Sequence, residues 1–94
     1  MTAHLILPLK RHVEANGLTL NLFSVLVAVQ AQPRTHSDIA KALGNSTAAV
    51  TGLIDRLAAA QCVSSVTSPG DRRCKIVTLT ERGQHILATA PQAA

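Results

Sequence analysis

The chain has 94 residues, 47% apolar, 15% charged and 1% aromatic. That length is one domain, and its apolar share is enough for a core, which argues against disorder over most of the chain. Phe23 is the sole aromatic residue, which argues against single-strand nucleic-acid binders, since these stack bases on several rings.

The formal net charge is +4 and the sequence pI near 9.8, a balance that favours polyanionic partners at modest charge density. Most of the excess falls in residues 34–82, which carry Arg34, Lys41, Arg56, Arg72, Arg73, Lys75 and Arg82. Cys62 and Cys74 make neither a disulfide framework nor a zinc spacing, so free thiols, no metal and no cofactor are expected. No leader pattern is evident at the N-terminus. The longest apolar run, near Leu22–Val29, is broken by Ser24 and is short of the ~20 residues that span a bilayer. The expectation is a cytoplasmic protein with no membrane partner.

Taken in chain order, Ile6, Leu9 and Val13 follow helical spacing. Pro8 suits the first turn of a helix, so a short helix is expected over about 8–15, with the residues before it extended or in a separate turn. Asn16-Gly17 tolerates positive φ and ends it. A second helix follows Thr19, a natural N-cap, with Leu22, Val25, Leu26 and Val29 on one face. Thr35 and Asp38 resemble a capping box for a third helix, whose buried face is Ile39, Ala40 and Leu43 and whose stop is Gly44. A fourth helix opens near Asn45-Ser46 and carries Val50, Leu53, Ile54 and Leu57 as its apolar stripe. Beyond Cys62 the residues turn β-prone. Ser68-Pro69-Gly70-Asp71 reads as a type II turn between two strands, with Val77 and Leu79 on one face of the second. Thr80 caps a last short helix holding Ile86 and Leu87.

Two short helices joined at a glycine form a helix-turn-helix, and a hairpin directly after the second makes it winged. The expected class is mainly α with a small β-hairpin, one domain over 1–94. Its parts are an apolar segment (1–17), the helix-turn-helix (35–59), the wing (62–80) and a short last helix (81–90). A helix fits the major groove of duplex DNA with its N-terminal side chains at base edges. Those are Asn45, Ser46, Thr47, Ala48 and Thr51, flanked by Thr35, His36 and Arg56. Arg72, Arg73 and Lys75 on the wing suit a narrow minor groove or phosphates.

The run from Gly17 to Gly83 resembles the MarR family of bacterial transcription regulators. The pieces that carry the likeness are GLTL, THSDIAKALGNSTAAVTGLIDRL, the wing DRR and VTLTERG. The resemblance implies a winged-helix homodimer on palindromic double-stranded DNA, usually a repressor, and leaves open a small-molecule effector. It implies that the helix from about Ser46 is the recognition helix and that Arg73 is the minor-groove arginine. Asp71 and Asp55 would hold wing and helix arginines by ion pairing.

The chain departs from that pattern at Gly52, where many members carry Arg. It departs again at Ser64 and Ser65, where a basic residue is common, and at Gln61, where a helix-ending Gly is common. Members are usually half as long again, with long terminal helices that form the dimer interface. The apolar start, with Leu5, Ile6, Leu9 and Val13, is either a residual dimer interface or a cover for the domain's own core. An enzyme is not expected, because His4, His12, His36 and His85 lack an accompanying nucleophile or carboxylate pair. The rival expectation is a protein-interaction module that pairs with another regulator.

Overall fold

A computed structural model describes the backbone of residues 3–91, and the side chains of residues 7–70 and 74–91. Helix α1 (Ala3–Ala15) runs through Pro8, which corrects the expected start. Proline at the sixth helical position forfeits one backbone bond, to the His4 carbonyl, and the remaining residues are good enough formers to carry the helix past it. Helix α2 (Leu20–Gln30) is set at 90° to the Leu7–Ala15 stretch of α1. Strand β1 (Arg34–Thr35) and helix α3 (His36–Leu43) follow, then α4 (Thr47–Ala59). Strands β2 (Val63–Ser68) and β3 (Asp71–Leu79) make the wing, and α5 (Glu81–Ala88) closes the described chain. No single helix among the described residues is long and apolar enough to cross a membrane.

Local chemistry sets the helix ends. Side-chain oxygens of Thr19, Thr35, Ser46 and Thr80 accept from the N–H groups of Leu22, Asp38, Ala49 and Gly83, each satisfying a donor the helix leaves unpaired. Three helices end in the same paired-bond motif. Leu18 N–H donates to Val13 C=O and Gly17 N–H to Glu14 C=O at the end of α1. Asn45 to Ala40 and Gly44 to Lys41 repeat the pattern at α3, and Cys62 to Leu57 and Gln61 to Ala58 at α4. The motif needs a left-handed residue at its corner. Gly17 and Gly44 supply it freely at φ 77° and 68°, while Gln61 supplies it at φ 64° against the steric cost of its Cβ.

The sheet order is β1-β3-β2, all antiparallel. β1 is an unexpected strand: two residues carry no alternation to read, and Arg34 and Thr35 become a strand by lying opposite Val77 and Ile76. β2 and β3 pair from Val63↔Leu79 down to Thr67↔Lys75, and a register shift then places Ser68 opposite Asp71. The turn at Pro69-Gly70 is not type II, because Gly70 does not take positive φ.

Val25, Leu26 and Val29 of α2, Ile39 and Ala40 of α3, and Val50, Ile54 and Leu57 of α4 are buried together. Val13, Leu18, Leu22, Phe23, Cys62, Val63, Val77, Ile86 and Leu87 close the same core. Leu43, Leu53 and Leu79, expected inside, pack on its edge half-buried. Two polar ties lock the periphery. His12 Nε2 lies 2.9 Å from the Ile86 carbonyl, joining α1 to α5. The Arg34 Nε–H donates to the Ala28 carbonyl near the end of α2.

Candidate nucleic-acid interface

The sequence of α4 divides its surface. Val50, Ile54 and Leu57 face the core, and the opposite line, Ala48, Gly52, Asp55 and Ala59, is wholly exposed. From just ahead of α4 through its first turn, Asn45, Ser46, Thr47, Ala48 and Ala49 are all exposed. The start of α3 lies beside them: Thr35, His36, Ser37 and Thr47 share one concavity with Cys74 and Lys75 of β3. Helix N-termini present unpaired N–H groups and partial positive charge, and Lys75 is exposed at the rim.

His36 and Thr51 join the two helices. Thr51 Oγ1 lies 3.0 Å from His36 Nδ1, and both residues are half-buried. His36 Nε2 is buried without a hydrogen-bond partner. The hydroxyl expected at base edges is therefore engaged inside the protein. Ser46 is similar: exposed, but with its Oγ accepting the Ala49 N–H at 3.1 Å. Arg56 is exposed near the far end of α4.

Arg72 and Arg73 lie in β3 just past the turn; their side chains and that of Asp71 lie outside those described. Asp55 is exposed, and among the described side chains none forms an ion pair with it. In α1, the side chains of Leu5 and Ile6 lie outside those described. Leu9 is half-buried against the core, and Val13 is fully buried within it. Val13 is thus a core residue and not free surface for a second chain. Leu7, in the same apolar start, is 55% exposed. The expected helix began at Pro8, so the helical turn that carries Leu7 was not foreseen. Among the described residues no three His, Cys, Asp or Glu side chains cluster to hold a metal, and Cys62 and Cys74 are not joined in a disulfide.

A model of the MarR family matches residues 16–73. The chain belongs to the MarR family. It is 38% identical over 80 residues to the transcriptional activatory protein BadR of Rhodopseudomonas palustris, an alignment covering 81% of this chain and 46% of BadR. It is 38% identical over 55 residues to the HTH-type transcriptional repressor NicR of Pseudomonas putida, covering 58% of this chain and 35% of NicR. This MarR-family chain therefore spans less than half the length of the curated relatives it matches. Among solved structures, apo MarR of E. coli superposes with TM-score 0.78 at 28% identity, over 85% of this chain and 60% of that one. MepR of S. aureus, solved in complex with DNA, superposes with TM-score 0.80 at 25% identity, over 83% and 65%. These likenesses bear out the winged-helix class.

Proposed function

We propose that this domain is the DNA-reading part of a transcription regulator, and that it binds double-stranded DNA sequence-selectively. Helix α4 enters the major groove by its first two turns. The N-terminus of α3 and Lys75 rest on phosphates, and Arg72 and Arg73 of the wing reach the minor groove or the neighbouring phosphates. The observation that carries this reading is the exposed start of α4 beside the α3 N-terminus and Lys75, on a fold that MepR uses in a DNA complex. Phosphate contacts of this kind position a protein, and base contacts specify its site.

The named relatives include an activator and a repressor. We favour repression, by occupation of a duplex that transcription needs. Self-association through the exposed face of α1 around Leu7 would present two copies of α4 to a palindromic site. The cytoplasm, where bacterial DNA lies, is the compartment in which such a protein acts, and the chemistry requires no cofactor.

The test is duplex binding by the purified chain over a salt series, with its mass in solution measured in parallel. Binding that weakens linearly in log–log with salt is the expected result. The rival reading, a module that pairs with another regulator, draws on Gly52 in place of a basic residue and on the exposed Leu7 and Leu20. No duplex binding at low salt would select it.

A further inference from the structure

The hydrogen bonds inside the domain decide which chemistry is left at the front of α4. Of the hydroxyls near the start of α4, Thr51 is held by His36, Ser46 Oγ already accepts the Ala49 N–H and keeps its O–H to donate, and Thr47 is exposed at the first helical position. The outward line of the first two turns then consists of Ala48 and Gly52, flanked by Ala49 and Thr47. A Cβ at Gly52 would meet nothing within 4 Å, so this stretch is open to a close neighbour. The first long side chains on that line, Asp55 and Arg56, come only in the third turn. Bidentate reading of guanine takes Arg or Lys, and of adenine Asn or Gln. Neither kind stands within the first two turns, and Asn45 precedes the helix. What remains is a methyl-bearing surface, Ala48 and Ala49, beside the two short hydroxyls of Ser46 and Thr47. The apolar group displayed in the major groove is the C5-methyl of thymine.

We propose that α4 specifies its site chiefly by packing the methyl groups of Ala48 and Ala49 against thymine C5-methyls, so that the centre of each bound half-site is a run of T·A pairs. This rests on the DNA-reading proposal above and names the sequence class that the surface takes. Gly52 permits the approach: an Arg there would hold the helix off the groove floor or engage a phosphate.

The experiment selects bound duplexes from a random pool with the full chain, then replaces each thymine of the best duplex, one at a time, by deoxyuridine. That change removes the methyl and leaves base pairing intact. We expect a short run of positions in each half-site where deoxyuridine weakens binding about fourfold, the effect of one buried methyl. Replacing T·A there by 5-methylcytosine·G, which keeps the methyl, should weaken binding less than replacing it by C·G. Ala48→Gly should erase the deoxyuridine effect at one position while leaving the others. Because the decisive change is made in the DNA, loss of folding in Ala48→Gly leaves the test intact. Enrichment of G·C at the half-site centre, or indifference to deoxyuridine throughout, overturns the methyl reading while duplex binding itself stands. Failure to enrich any duplex overturns the DNA-reading proposal instead.

Discussion

A Cβ on Gly83 would run into the carbonyl oxygen of Cys62. The first turn of α5 is pressed against the junction between α4 and β2, where Thr80 also bonds the Gln61 and Cys62 carbonyls. The obstacle is backbone, which cannot swing aside as a side chain does. Gly83→Ala should therefore destabilise the domain at the upper end of the about 1–3 kcal/mol of an overpacked core. A urea midpoint unchanged from the parent would contradict the packing.

Gln61 holds the left-handed corner at the end of α4 with φ 64°. Glycine there removes a steric cost of about 1–2 kcal/mol and adds unfolded-chain entropy that offsets part of it. Gln61→Gly should raise stability by about 0.5–1 kcal/mol, a rise of a few degrees in melting temperature for a domain of this size. Calorimetry that finds a lower midpoint would refute the strain.

The His36–Thr51 bond makes Thr51 a link between helices. Single and double alanine variants at these positions should show a coupling of about 0.5–1.5 kcal/mol in folding stability. Thr51→Ala should weaken duplex binding in the parent and much less in the His36→Ala background. An equal loss in both backgrounds would mean that the Thr51 hydroxyl touches DNA itself.

Basic contacts should appear in the salt dependence. Arg73→Ala should reduce the log–log slope by about 0.9, one phosphate contact, with affinity lost for most sequences alike. Gly52→Arg has open space to occupy and should strengthen binding and steepen the slope by a similar amount, with weaker discrimination against deoxyuridine. Slopes that stay constant in both variants would remove these positions from the phosphate interface.

Along α1, Leu7 and Val13 should behave in opposite ways. Leu7→Asp alters a side chain that is 55% exposed and should leave the fold intact while reducing light-scattering mass to the 9.8 kDa of one chain. Val13→Asp places an unpaired charge where no surface is exposed and should unfold the domain. A Leu7→Asp protein with the parent's mass would place any self-association elsewhere.

The sequence by itself determined the helix stops, the caps, the buried stripe of α4 and the order helix-turn-helix then hairpin. Thr35 capping Asp38, Gly44 turning left-handed and Val50, Ile54 and Leu57 pointing inward are interactions among residues within a few positions, and local spacing specifies them. Tertiary structure alone decided what depends on residues distant in the chain. β1 exists because β3 passes beside it, and Val13 is core because α1 folds across the end of α2. Thr51 lost its freedom to His36, fifteen positions earlier, and the space at Gly83 was set by Cys62. Periodicity records which side of an element is apolar. Which polar groups are already satisfied follows from which elements meet, and at the front of α4 that settles which groups are left for a partner.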